Sequence, residues 1–590
     1  MSRASARSPL APVAAHPEEF AARYRAAGYW IDETFADFVA DRTTRFADRT
    51  AVVGVDAHGT PVRWTYAELA AAADAAAARL AGAGVVPGDR VVLALPNVVE
   101  FVAVVLGCFR AGILPVFAQP GHRETELSQF CAIADAAAIV VSGDTDGHDH
   151  RALVDRVAER LRAQGVEPPA LVDVQQWPRP GSSEPRIHAD PAHPDLGTGR
   201  VGVLRRSGCA GSTSSEGLFA PGRAEEVAFL QLSGGTTGVA KLIPRTHADY
   251  LYSVRASAEI CGLGEETVLL VVLPAAHNFA MSSPGILGVL HVGGTVVLAR
   301  DPSPRTAFRL VAEERVTWTS LVPPLAQAWI SSARRRTPDL SSLEVIQVGG
   351  ARLSDAVAAE IGPVLGARVQ QVFGMAEGLV NYTRLDDPDE LVLTTQGRPI
   401  SPDDEIRIVD PADPDEAEVP DGEEGALQTR GPYTIRGYYA PGGADDPVNR
   451  DAFTADGFYR TGDLVRRLPS GHLVVTGRAK DQINRGGEKV ATEEIEGPLL
   501  ARPDVLDAVV VGLPDPYLGE RICVVVRPEA GVRSGPDLGA ELTEHLRASG
   551  LATYKLPDQF EFLDQFPVTH VGKNSRRDLR RLLAARLSDE

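Results

Sequence analysis

The segment Leu232-Ser-Gly-Gly-Thr-Thr-Gly-Val-Ala-Lys241 carries the plainest chemistry in the chain. Glycines let the backbone approach a bound group. The N–H groups and hydroxyls of Ser233, Gly234, Gly235, Thr236, Thr237 and Gly238 can donate to an anion, and Lys241 adds a positive charge. The apolar run Val227 to Leu232 predicts a strand feeding this loop. Together these features predict a phosphate cradle. An ordinary Gly-rich turn is the plain alternative, and the Ser/Thr density and the following Lys weigh against it. The loop is not of the G-x-x-x-x-G-K-[ST] type, because Val239 stands where the second glycine would be needed. That disfavours a phosphotransferase built on such a loop.

The elements around the loop predict a parallel sheet. Arg90 to Leu95 reads as a strand, a helix follows from about Val98, and Ile113 to Phe117 reads as the next strand. Thr65 and Glu68 have capping-box spacing ahead of an Ala-rich helix. Trp177 to Arg223 is rich in Pro, Gly, Ser and Arg and reads as a long surface insertion. Strand and helix alternate again from Glu225 to about Thr395. Pro399 to Gly477 is dense in turns and predicts a small β subdomain, and the last stretch has an α+β pattern. In it, Val505–Val511 and Arg521–Val526 read as strands, and Gly539–Gly550 and Ser575–Leu587 as helices. The fold class expected is α/β: a large N-terminal body of parallel-sheet subdomains with a small β subdomain, and a small mobile α+β C-terminal domain.

Composition narrows the partners. The 590 residues carry 59 Lys plus Arg against 79 Asp plus Glu, a formal charge of −20, which argues against sequence-independent nucleic-acid binding. The five cysteines are scattered, with no CxxC pair, so a disulfide framework or structural zinc is not expected and a reducing, cytoplasmic setting fits. The apolar stretch Val91 to Phe109 is broken by Pro96, Asn97 and Glu100, so it reads as a buried strand-turn-helix and no membrane partner is expected.

With the other motifs, the loop resembles the phosphate loop of the adenylate-forming superfamily of acyl-CoA synthetases, peptide-synthetase adenylation domains and luciferases. Gln371-Val-Phe-Gly-Met-Ala-Glu377 resembles the motif closing over ATP, and Tyr459-Arg-Thr-Gly-Asp463 the ribose motif. Gly477-Arg-Ala-Lys-Asp-Gln-Ile-Asn-Arg-Gly-Gly-Glu-Lys resembles the hinge and its following loop, and Pro567-Val-Thr-His-Val-Gly-Lys573 the terminal catalytic lysine. Pro17 to Trp30, His277 to Gly285, Phe373 to Arg384 and Gly431-Pro-Tyr-Thr-Ile-Arg-Gly-Tyr-Tyr439 are similar to the stand-alone aryl-acid branch of 2,3-dihydroxybenzoate– and salicylate–AMP ligases. The resemblance covers the chain apart from the 177–223 insertion.

The resemblance implies ATP and Mg2+ as cofactors and a body of residues 1–477, a hinge at 478–480 centred on Lys480, and a lid of 481–590. It implies Lys573 as the catalytic cation, Glu377 as a catalytic carboxylate and magnesium ligand, and His277 as a further catalytic residue. Lys241, Gly349, Gly350, Ala351, Val372, Phe373, Gly374, Met375, Asp463 and Arg478 join the loop in binding ATP or AMP, with Asp463, at the end of a turn, on the ribose. Asn278, Phe279, Ser283, Val380 and Gly349 line the aryl-acid pocket. Ser283 with Val380 favours 2,3-dihydroxybenzoate. Phe279 and the Ala280-Met281 pair depart from the pattern, and salicylate or a 3-hydroxypicolinate-type acid stays open.

The acceptor implied is the phosphopantetheine thiol of a separate aryl carrier protein, in siderophore or nonribosomal peptide synthesis, or coenzyme A, which would make the enzyme an aromatic acyl-CoA ligase. A nucleotide-binding protein of this fold without turnover is the other class, and intact Lys573, Glu377 and Asp463 argue against it. Ser283→Cys is expected to move the kcat/KM ratio toward salicylate over 2,3-dihydroxybenzoate by about tenfold, the size of one lost polar contact; an unchanged ratio means Ser283 does not read the ring.

Overall fold

The computed structural model describes residues 10, 13–145, 148–177, 223–232, 241–440, 443, 446–479, 481–485, 488–515, 518–549, 551, 555–569 and 573–588. The phosphate loop 233–240, Lys480, Gly486, Gly487 and the segment 178–222 lie outside them, so the readings placed on those residues rest on sequence alone.

Two sheets build the body. In the nine-stranded sheet, Thr50–Val55, Thr295–Leu298, Val268–Val271, Trp318–Leu321, Val345–Gly349 and Arg368–Met375 run parallel in that spatial order. Gly378–Tyr382 then turns back antiparallel at one edge. In the six-stranded sheet, Val227–Leu232 is parallel to Leu114–Phe117, and Leu242–Thr246 pairs antiparallel with it at the edge. The expected alternation of strand and helix therefore holds, with antiparallel strands only at the margins.

Helix Val99–Ala111 is buried along nearly all its length, which accounts for its apolar run from Phe101 to Phe109. The Ala-rich helix Tyr66–Gly82 packs against it and begins at the Thr65–Glu68 capping box. A Cβ on Gly107 would stand 2.6 Å from the Ala73 carbonyl oxygen. Small residues on both helices are what allow this close approach.

Four antiparallel strands, Glu405–Val409, Glu424–Arg430, Tyr459–Arg467 and Leu473–Arg478, form the β subdomain sheet. Asp463 sits inside the third of these, paired with Arg478 of the fourth. The expected turn is a bulge within this strand: Gly462 takes the left-handed φ of +74°, the Asp463 N–H donates to Thr461 Oγ1 at 3.0 Å, and the pairing with Glu424–Arg430 slips between Arg460 and Leu464.

In the C-terminal sheet, Val505–Asp515 and Gly519–Pro528 pair in extended register. Their side chains alternate between two small cores. Ala508, Val510, Ile522 and Val524 face helix Pro536–Ala548, while Val509, Val511, Cys523 and Val525 meet Leu579 and Leu583 of helix Arg576–Ser588. The period of two is that of a strand covered on both faces. The first of these helices starts before the expected Gly539, at Pro536, because a proline is suited to a first turn that needs no N–H. Among the described residues the four cysteines are buried, and no helix is long and apolar enough to cross a membrane.

Arg245 ties the pieces together. Its guanidinium is buried and bonds Asp249 Oδ1 at 3.0 Å, the Ala376 carbonyl at 2.7 Å and the Tyr433 carbonyl at 3.0 Å. Arg245→Met strands the Asp249 carboxylate and is expected to cost about 3–5 kcal/mol in chemical denaturation, with part recovered in the Arg245→Met/Asp249→Leu double variant.

Candidate active site

The parallel strands Val345–Gly349 and Arg368–Met375 end side by side, with Gly349 level with Val372. Clefts beyond the carboxyl ends of such strands are where α/β sheets hold ligands. Gly349 has no room for a side chain: a Cβ would stand 2.7 Å from the Val372 carbonyl oxygen and 3.2 Å from Phe279 Cζ. Phe279 therefore forms a flat wall against the glycine backbone. The next residue, Gly350, has φ +83°, a conformation open mainly to glycine, and its Cβ would meet Lys573 Cε at 2.9 Å. The C-terminal segment thus places its lysine on the end of a body strand.

Lys573 meets charge of both signs there. Burial first, then the Arg478 guanidinium, lowers its ammonium pKa to about 8, while Asp463 opposes the fall. Asp463 is buried and accepts from Arg478 Nε at 2.6 Å through Oδ1. The Arg478 side chain is itself 47% exposed. Lys573, Asp463, Arg478 and Gly350, far apart in sequence, converge at one point.

A second group surrounds Glu377. Its buried carboxylate accepts from the Tyr438 hydroxyl at 2.8 Å through Oε1, and the Tyr438 and Tyr459 hydroxyls are 3.0 Å apart. Lys241 Nζ lies 4.6 Å from the centre of the Tyr438 ring. Burial and the Glu377 charge raise the Tyr459 and Tyr438 hydroxyls well above their ordinary values, so both stay protonated donors. Tyr459 also feels Asp463 and Arg478, which makes it the link between the two groups. Arg245, through the Ala376 carbonyl, holds the backbone next to Glu377.

The segment 277–283 is braced from helix His247–Ile260. Tyr250 donates its hydroxyl to Asn278 Oδ1 at 2.7 Å, which turns the amide so that its NH2 is the remaining polar edge. His277 caps the short helix Asn278–Ser282, with Nδ1 accepting from the Phe279 N–H at 3.2 Å. In the neutral ring the proton is then on Nε2. Ser283 is buried near the Tyr382 hydroxyl, and Val380 sits across from Gly374 on the sheet edge. Ala351 and Gly374 are exposed, and Phe373 and Met375 are half-buried, as expected at the rim of a cleft.

Sequence reasoning missed Arg245, Tyr250, Tyr438 and Tyr459 as parts of the site. The two later tyrosines lie within motifs that were singled out, and their positions beside Gly437 and Arg460 offered no chemical signal of their own.

A profile for AMP-binding enzymes matches residues 39–439, and one for the C-terminal domain of AMP-binding enzymes matches 494–573. The chain belongs to the AMP-binding enzyme family. It is 47% identical over 574 residues to the 2,3-dihydroxybenzoate-AMP ligase of Bacillus subtilis (strain 168), covering 97% of each chain. It is 46% identical over 566 residues to a salicylyl-CoA synthase / salicylate adenylyltransferase of a Streptomyces species, covering 96% of each. Among solved structures it matches apo MbtA of Mycobacterium smegmatis at 41% identity and a TM-score of 0.66, over 96% of this chain and 98% of that one. These similarities put this AMP-binding enzyme in the stand-alone aryl-acid-adenylating branch.

The Gly350–Lys573 contact is the tightest point of the site. Gly350→Ala is expected to cut kcat/KM about 10²-fold by displacing the ammonium, the scale of a 1 Å misplacement. Steady-state exchange kinetics check this; activity near that of the parent chain would mean Lys573 does not need that approach.

Proposed function

We propose that this enzyme activates an ortho-hydroxylated aryl acid, 2,3-dihydroxybenzoate in preference, with ATP, and then passes the acyl group to a thiol. The observation that carries the reading is the convergence of Lys573, Asp463 and Arg478 on Gly350, beside the Phe279–Gly349 wall. In the first step a carboxylate oxygen of the acid bonds to the α-phosphorus of ATP and the bond to pyrophosphate breaks. Two anions must meet, so the site has to supply positive charge along the line of attack. Lys573 does so at the strand end, and Lys241 does so beside Tyr438. Asp463 takes the ribose hydroxyls, with Arg478 holding its other side. The 233–240 loop cradles the outer phosphates.

Glu377 suits Mg2+. It is a hard, buried carboxylate held through one oxygen by Tyr438, and Mg2+ is commonly bound by one or two carboxylates plus substrate phosphates. The ion would neutralise phosphate charge during displacement. Among the described residues no cluster of three metal-ligating side chains occurs, which suits a site completed by the nucleotide.

The acid lies with its ring against Phe279 and its ortho hydroxyl or carboxylate on the Asn278 amide. Ser283 faces a second ring hydroxyl, and His277 keeps this segment in place. The 2,3-dihydroxybenzoate-AMP ligase relative supports this choice of acid. After adenylation the 481–590 lid turns about 478–480, withdrawing Lys573 so that the thiol of a separate aryl carrier protein enters. The salicylyl-CoA synthase relative favours a second reading, in which salicylate is the acid and coenzyme A the thiol.

ATP–pyrophosphate exchange over a panel of aryl acids tests the reading, and absence of exchange with every acid would defeat it. Lys573→Ala is expected to lower exchange about 10²–10³-fold while ATP binding persists. The protonated lysine is the active form, so kcat/KM should fall as pH rises through about 8. That limb should vanish in Lys573→Arg, whose guanidinium does not titrate in this range.

A further inference from the structure

The segment Gly431–Tyr439 stands out in the sequence, and its Tyr433 has no role in the chemistry above. The structure lays this segment against Glu377–Val380. The Ile435 N–H donates to the Glu377 carbonyl at 2.8 Å, and Gly378 is so close that a Cβ there would stand 2.6 Å from Thr434 Cα.

Pairing between Gly378–Tyr382 and the neighbouring Arg368–Met375 strand is irregular between Gly374 and Met375. Just past that irregularity, the Val380 N–H donates to the Tyr433 hydroxyl oxygen at 3.1 Å. Tyr433 in turn donates its proton to Asp404 Oδ2 at 2.6 Å. The Val380 carbonyl accepts from the Ile400 N–H at 3.1 Å. Tyr433 is fully buried, so no water can replace its hydroxyl without rearrangement. Val380 Cγ2 packs over Gly374, 3.3 Å from where a Cβ would be.

We propose that Tyr433 is a specificity-determining positioning residue: anchored by Asp404, its hydroxyl fixes Val380 and so sets the depth of the aryl-acid pocket. This rests on the reading of Val380 as a pocket residue in an aryl-acid ligase. The same segment carries Tyr438 to Glu377, so its two hydroxyls serve different substrates. Tyr433 acts on the acid side, and Tyr438 on the nucleotide side.

The test is ATP–pyrophosphate exchange by the full chain at pH 8, above the value of about 7 to which burial pushes the Asp404 carboxyl. KM is measured separately for ATP, 2,3-dihydroxybenzoate and salicylate. Tyr433→Phe is expected to raise the aryl-acid KM about tenfold, the size of one buried hydrogen bond lost, and to change the ratio between the two acids. The ATP KM should stay within about twofold. Tyr438→Phe should do the reverse. Asp404→Asn, which keeps an acceptor oxygen for Tyr433, should retain the parent selectivity, while Asp404→Ala should reproduce Tyr433→Phe.

An unmoved acid KM in Tyr433→Phe overturns the proposal. So does a parallel rise in both substrates' KM with a lower melting temperature, the mark of a merely structural residue. If Tyr433→Phe does not fold, the Asp404→Asn and Asp404→Ala pair carries the test, and equal selectivity in the two overturns it. Failure of the unsubstituted enzyme to exchange with any aryl acid would defeat the proposed function itself and the inference with it. Exchange by that enzyme with an unmoved Tyr433→Phe defeats the inference alone.

Discussion

A single buried guanidinium holds the site in register. Arg245 faces a carboxylate and two carbonyls, and each comes from a different stretch of chain: helix His247–Ile260, the loop before Glu377, and the segment carrying Tyr433. A buried arginine is costly unless its donors find acceptors. Here that requirement works as a constraint on geometry. The helix that braces Asn278 through Tyr250, the backbone beside Glu377 and the strap bearing Tyr433 and Tyr438 can be satisfied together in only one arrangement.

Charge is handled locally in a chain that is strongly acidic overall. The formal charge of −20 would repel a nucleotide on average. The site overcomes this over short distances, with Lys573 and Arg478 set around Asp463 and Lys241 set beside Tyr438. The burial of Asp463 strengthens its pairing with the half-exposed Arg478 relative to contacts on the solvated acidic surface. The depressed Lys573 pKa follows first from its burial and second from the Arg478 cation beside it. A bound anion, drawn to both, would offset it.

Much of the scaffold was legible because local physics sets it. The Thr65–Glu68 capping box, the buried run after Val98, the strand into the loop at Leu232 and the apolar strand Val505–Val511 all appear where residue type puts them. Gly462 signals the local turn that Asp463 ends, but the cross-strand partner Arg478 lies fifteen residues away and is not visible locally. Tyr438 and Tyr459 carry no local signal. Only the bond of the Tyr438 hydroxyl to Glu377, and of the Tyr459 hydroxyl to Tyr438, separates them from ordinary core aromatics.

By itself the sequence determined the class of chemistry. A Gly/Ser/Thr loop after a strand, followed by a lysine, predicts phosphate handling, since donor type and backbone freedom are properties of the residues themselves, and the later motifs ending at Lys573 point to an adenylating enzyme through their resemblance to that superfamily. What only the tertiary structure decided is which groups meet: Lys573 upon Gly350, Glu377 with Tyr438, Val380 with Tyr433 and Asp404. Those partners are separated by up to hundreds of residues, and their bonds depend on burial that no local pattern encodes. The hydrogen bonds count because water has been excluded, and the packed fold is what excludes it.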